Sequence, residues 1–157
     1  MTRKILYYSD FVLAPLAALV ILFLHEYQNL GFDAFCFLSG IVLWSFLEYL
    51  LHRGAHFLQL AEHYRHHHWP QQDSAPSIFL AVPIAGLTWW CFPPLVVAGL
   101  LLNYTFFICL HWSMHHLTIR PSNIFYGAKV RHDAHHGGRE VNFGVTSRIW
   151  DVFFTRR

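Results

Sequence analysis

Four apolar stretches, at residues 10–24, 35–51, 78–92 and 95–111, are separated by short polar connections. A helix crossing ~30 Å of hydrocarbon takes about 20 mainly apolar residues, and about 17 still suffice. The pattern therefore predicts four helical spans. HEYQNLGFD joins the first pair and Pro93-Pro94 the second, so the spans form two hairpins. Pro83 lies inside the third and is expected to bend it. The first stretch follows a basic start in the manner of a secretory signal, yet no small-x-small site follows Leu24, so it is read as a retained span. Beyond His116 the pattern is broken by Pro121, Gly127, Gly137, Gly138 and Gly144. Residues 112–157 are expected to be a cap of short helices and loops.

Composition supplies the solvent. Charged residues make up 13% and hydrophobic ones 55% of the 157 residues, against roughly 25% charged in a soluble domain. The missing water-facing charge implies lipid. A net charge of +2, without basic residues alternating with aromatics, excludes a nucleic-acid partner. None of the eleven basic residues falls in either hairpin tip. The positive-inside rule then puts the tips away from the cytoplasm, and both termini with the polar cap towards it, in a bacterial inner membrane or the endoplasmic reticulum. Trp89 and Trp90 fit an aromatic belt at the far side. Asn103-Tyr104-Thr105 matches a glycosylation acceptor but sits inside a predicted span and is read as chance. Cys36, Cys91 and Cys109 lie in apolar runs without paired spacing and are expected to be small core hydrophobes.

Histidine changes the picture most. Twelve of the thirteen fall into four groups: His52 and His56; His63, His66, His67 and His68; His111, His115 and His116; His132, His135 and His136. Residues three and four apart share a helix face. His52/His56 and His111/His115 therefore aim two imidazoles one way, and His63/His66/His67 and His132/His135/His136 aim three. This gives ten candidate ligands in two sets of five, one per sequence block. His68 and His116 point off the shared faces, and His25 lies at the opposite membrane surface. The wide pairs sit where the second and fourth spans reach the cytoplasmic side, and the triplets follow just beyond. Ten imidazoles packed without metal repel on protonation and leave ring nitrogens unpaired. Ten ligands exceed what one ion accepts, so a dinuclear site is expected. Imidazole suits zinc, iron, copper and nickel alike.

EYLLHRGAH, HYRHH with Pro70 shortly after, HWSMHH, RHDAHH and NFGVTSRIWDVFF together resemble the fatty acid hydroxylase and sterol desaturase superfamily of membrane di-iron enzymes. The resemblance runs from about Phe46 to Phe154 and is nearest to the fatty acid 2-hydroxylases. It departs in the first pair, where three residues rather than four separate His52 from His56. It implies two iron ions, with zinc a possible substitute in a purified sample, and O2 as co-substrate. The activity implied is hydroxylation of a C–H bond of a membrane lipid, a fatty acyl chain first. Carotenoid ring hydroxylases and sterol hydroxylases or desaturases are the alternatives within the superfamily. A non-enzymatic membrane metal- or haem-binding protein is the alternative outside it. With no other redox centre in sight, electrons are expected from a separate carrier, cytochrome b5-like or ferredoxin-like.

Around the ligands, Glu48 lies one turn before His52, near the membrane boundary, and is expected to accept a hydrogen bond from a ligand imidazole. Asp133 and Asp151 are weaker candidates for the same service. Asn142, Gly144 and Trp150 are expected to close the roof of the site. The fold expected is thus an all-α integral membrane domain over 1–157, with four transmembrane helices in two hairpins and short cytoplasmic helices forming a histidine-lined dimetal site.

Overall fold

The computed structural model describes residues 2–71, 78–138 and 140–154. Arg139, Arg156 and Arg157, part of the charge argument above, lie outside them, and the side chains of Arg3 and Lys4 are likewise outside the description. All regular structure among the described residues is helical: α1 Thr2–Leu24, α2 Leu30–Phe57, α3 Ala61–His68, α4 Ile78–Cys91, α5 Pro94–His116, α6 Tyr126–His136 and α7 Ile149–Phe154. Each predicted apolar stretch is a helix, and α2 and α5 run past the apolar stretch to carry their histidine pairs. Pro94 opens α5, where its missing N–H costs nothing.

Two helices, α2 and α5, are long and apolar enough to cross a membrane; the apolar parts of α1 and α4, residues 8–24 and 81–91, are shorter. At 1.5 Å per residue the 14 residues of α4 rise about 21 Å, less than the hydrocarbon thickness. Leu16, Leu19 and Phe23 of α1 and Phe35 and Leu38 of α2 are exposed. Large apolar side chains exposed in this number suit lipid rather than water.

The chain divides into two compact units, each built from two chain segments: Met1–Trp44 with Ala75–Phe106, and Ser45–Ser74 with Phe107–Arg157. In the first unit α1 packs on α4. The first-unit parts of α2 and α5 meet at two glycines. A Cβ on Gly40 would come 2.0 Å from the Val96 carbonyl oxygen, and one on Gly99 2.0 Å from that of Phe37. Only hydrogen fits there, so the backbones touch, as small residues permit in membrane helix pairs. Cys36, Leu95 and Val96 form a buried cluster beside this crossing. Asn103, at the chance glycosylation match, donates to the Ile41 carbonyl at 2.8 Å. Of the cysteines only Cys36 is buried; Cys91 and Cys109 are exposed, contrary to expectation, because an apolar exterior accepts a thiol as readily as a core does.

In the second unit, Leu110, Met114 and Val145 form a buried cluster with Phe107, Ile119, Phe125 and Ala128 packed around it. This cluster ties α5, α6 and the loop after α6 together. It leaves the histidine faces of the helices turned towards one another.

Candidate metal centre

All ten predicted ligands lie in the second unit, and they gather into two groups of five. One holds His52, His56, His63, His67 and His135; the other holds His66, His111, His115, His132 and His136. Within each group one ligand nitrogen per residue lies within 4.8 Å of all the others. The groups are not the two sequence blocks. His66 leaves its block for the second group, and His135 crosses the other way. Helix geometry explains the exchange. His63 and His67, four apart, have ring centres 4.7 Å from each other, while His66 is 6.2 and 6.1 Å from them. In α6, His132 and His136 are 4.5 Å apart and His135 lies 6.3 and 5.9 Å away. Each triplet therefore straddles both groups, two ligands to one and one to the other. His56 joins its group despite the shortened first pair, its Nε2 3.0 Å from that of His135.

The nitrogens are set for an ion. Successive Nε2 atoms are 3.1 Å apart for His66 and His111, 3.2 Å for His111 and His115, and 2.9 Å for His115 and His132. Two imidazole nitrogens about 2.1 Å from a common ion, at ordinary ligand angles, are about 3.0–3.4 Å from each other. Hydrogen bonds fix the tautomers of two rings in the first group. The Phe143 carbonyl lies 2.6 Å from His52 Nδ1 and the Val141 carbonyl 2.9 Å from His135 Nδ1. A carbonyl only accepts, so each Nδ1 carries the proton and donates it. In the neutral ring, Nε2 then presents a lone pair to the group. Both ring nitrogens of His136 are buried with no hydrogen-bond partner, and one of them lies within 4.8 Å of a ligand nitrogen from each other member of its group. A buried nitrogen left in that state is costly unless something binds its lone pair. The residues present fit two metal ions.

Burial enforces the neutral form. It lowers His63 to about 4, helped by His56 and His135, and His66 to about 3, helped by His115 and His63. Burial and then mutual repulsion bring His67 and His136 to about 2. His132 is lowered further still, by burial first and then by His136. Near neutral pH these rings are free bases, the form that ligates metal.

The loop from 141 to 146 orients two of the ligands, and two buried carboxylates hold the loop. Glu48 accepts from the backbone N–H of Val145 and of Thr146, the latter at 3.0 Å, and from the Thr146 hydroxyl. Asp151 accepts from the N–H of Phe143 at 2.8 Å and of Gly144 at 2.9 Å. The Gly144 N–H and the Phe143 carbonyl belong to one peptide group. Asp151 thus pulls on one end of the peptide whose other end receives the His52 proton. Asn142 adopts φ of 61° between the two accepting carbonyls and donates to the Arg131 carbonyl at 3.3 Å. That left-handed conformation is one asparagine tolerates. A Cβ on Gly144 would come 2.0 Å from the Ser147 carbonyl oxygen, so this position requires glycine.

Several expectations change in detail. Glu48 and Asp151 accept from peptide N–H groups of the loop that presents its carbonyls to His52 and His135. Asp133 turns outward to Lys129 at 2.5 Å and is half-exposed, being on the solvent side of α6. Asn142 shapes the loop through its left-handed backbone and its bond to the Arg131 carbonyl. Trp150 donates to Ser45 Oγ at 3.0 Å and packs on Phe46, fastening α7 to α2. His68 and His116 bond through Nδ1 to the Tyr64 and Trp112 carbonyls of their own helices and join neither group. His25 pairs with Asp33 at 3.2 Å. Sequence reasoning missed Phe143, whose buried ring packs edge-on to His52, His56 and His135. It also missed the carbonyls of residues 141 and 143, which no side-chain pattern marks.

Residues 37–156 match the sequence profile of the fatty acid hydroxylase family. The chain belongs to that family. The fatty acid 2-hydroxylase of Macaca fascicularis is 28% identical over 141 residues, covering 75% of this chain and 38% of that protein. A dihydroceramide fatty acyl 2-hydroxylase of Arabidopsis thaliana is 27% identical over 137 residues, covering 73% and 57%. The chain thus spans well under two thirds of these relatives. A solved structure of full-length scs7p, in which only the hydroxylase domain is visible, superposes with a TM-score of 0.73 at 26% identity, covering 95% of this chain and 64% of that one. The resemblance carried by the histidine motifs is borne out at the level of the family.

Proposed function

We propose that this chain is an integral membrane, non-haem di-iron hydroxylase that inserts one atom of O2 into a C–H bond of a fatty acyl chain of a membrane lipid. Two groups of five converging histidine nitrogens carry the reading. His52, His56, His63, His67 and His135 would hold one iron; His66, His111, His115, His132 and His136 the other. The metals, once reduced, supply the O2 chemistry. The protein's part is to hold neutral nitrogens in place, with the carbonyls of Val141 and Phe143 fixing His135 and His52, with Asp151 holding the N–H groups of Phe143 and Gly144, and with Glu48 holding those of Val145 and Thr146 further along the same loop. In the balance, the C–H bond, O2, two electrons and two protons give the alcohol and water. The electrons come from a separate carrier, cytochrome b5-like or ferredoxin-like. The names of the relatives, hydroxylases of fatty acids and of fatty acyl groups of dihydroceramide, support the substrate class.

Four transmembrane helices in two hairpins, with termini and metals on the cytoplasmic side, is the arrangement we adopt. Its support is the apolar exterior of α1 and α2 and the absence of basic residues from the hairpin tips. The test is to express wild type and His135→Ala in the same host and compare cellular lipids by mass spectrometry. A lipid product heavier by one oxygen is expected with wild type and lost with the variant. Identical lipid profiles across several host backgrounds would overturn the reading.

A further inference from the structure

Ligand spacing does not distinguish the two histidine groups. Nε2 atoms are 3.0 Å apart for His56 and His135 and 3.1 Å for His63 and His67 in the first. In the second, the pairs along His66, His111, His115 and His132 are 3.1, 3.2 and 2.9 Å apart. The groups differ behind the rings. In the first, the Phe143 and Val141 carbonyls hold the Nδ1 atoms of His52 and His135. In the second, Nδ1 of His132 and both nitrogens of His136 are buried with no hydrogen-bond partner. An ion satisfies one nitrogen of each of these two rings and leaves the other as a buried N–H without an acceptor.

This difference bears on affinity. A neutral ring that gives one nitrogen to a dication carries its proton on the other, and that N–H becomes a stronger donor as the ion draws charge from the ring. Where a carbonyl accepts the bond, the ring is the better base and is already turned to the ion. Where the N–H is buried with nothing to accept it, binding bears the cost of an unmade bond at low dielectric. Fixed charge adds to the contrast. The acid Glu140 acts on His56 in the first group, whereas Lys129, partly offset by Asp133, acts on His115 in the second. A nearby acid favours a dication and a lysine disfavours it.

We infer that the two sites are unequal: the first group, anchored through His52 and His135, takes metal first and holds it more tightly, and the second, with His132 and His136 unanchored, gives its ion up first. The inference rests on the two-ion reading above. It does not depend on the lipid substrate or on the oxygen chemistry.

The test uses the purified full chain in detergent, stripped of metal, reloaded with Zn2+ and brought to equilibrium with increasing chelator, the retained zinc being counted by plasma mass spectrometry. Wild type is expected to lose zinc in two steps of about one ion each, with midpoints about 10–100-fold apart. His132→Ala/His136→Ala removes two ligands of the second group only and should keep about one ion at the tight midpoint. His63→Ala/His67→Ala removes two of the first group only and should keep about one ion at the loose midpoint. Asp151→Asn changes no ligand but weakens the hold on the peptide behind His52, so it should draw the two steps together by loosening the tight one alone. A single step of about two ions in wild type would overturn the inference, as would the reverse assignment of midpoints by the two alanine pairs. Asp151→Asn decides the assignment even if an alanine pair fails to fold, and a shift of the loose step alone in that variant would count against it. Two-step loss of zinc without a lipid product leaves this inference standing and the hydroxylase reading fallen. A wild type that holds fewer than about two ions overturns the two-ion reading and this inference with it.

Discussion

The peptide between Phe143 and Gly144 is the smallest part with a defined task. Its carbonyl holds His52 and its N–H is held by Asp151. Partners of ligand histidines typically contribute about 10–100-fold in metal affinity. Asp151→Asn should therefore lose metal to a chelator about 10–100-fold more readily than wild type, read by competition against a metal indicator dye. A solvent-exposed control, Asp133→Asn, should match wild type. The rings themselves make a pH prediction. His63, His66, His67 and His136 stand at about 4, 3, 2 and 2 in the folded chain against an ordinary 6.5. Below about 6.5 the unfolded chain takes up protons that the folded chain refuses, so stability is complete above that pH and falls as pH drops towards 4. The metal-free protein should unfold at a lower temperature at pH 5 than at pH 7 in a thermal scan. A melting temperature that is flat or rising on acidification would contradict the burial of these rings.

Among the elements, α2 and α5 do two things along their lengths: they touch backbone to backbone at Gly40 and Gly99, and they present histidine pairs at their C-terminal ends. Gly99→Ala puts a methyl group where a carbonyl stands and should cost about 1–3 kcal/mol. Gly54→Ala, on α2 with nothing within 4 Å of its Cβ, should be neutral or gain up to about 1 kcal/mol. Thermal unfolding of both variants checks the contrast. The apolar runs made these helices legible beforehand, since length and hydrophobicity suffice to mark them. The shortfall of α4 was legible too, in the short apolar stretch from 78 to 92 that ends at Pro93. The glycine crossing was not, because a glycine in an apolar run looks the same whether it faces a backbone or lipid.

For the whole molecule, the consequence is that each histidine group draws on both halves of the sequence. His66 sits with His111, His115, His132 and His136, while its neighbour His67 sits with the other five-member group. Metal content should reveal this grouping. His66→Ala/His136→Ala alters one group only and should leave about one ion per chain, whereas His66→Ala/His67→Ala touches both and should leave fewer, measured by plasma mass spectrometry. The same loss in both pairs would contradict the grouping.

The sequence by itself determined the ten histidines that gather into the two groups, the helices that carry them and the family. Spacings of three and four fix which side chains share a helix face, and apolar length fixes which segments become spans. The tertiary structure decided how the ligands divide, sending His66 and His135 across, because only helix docking settles which ring tips meet. It also decided that Glu48 and Asp151 act through peptides. Every residue carries the same N–H and C=O apart from proline, so no pattern of side chains could have marked those at 141 to 146.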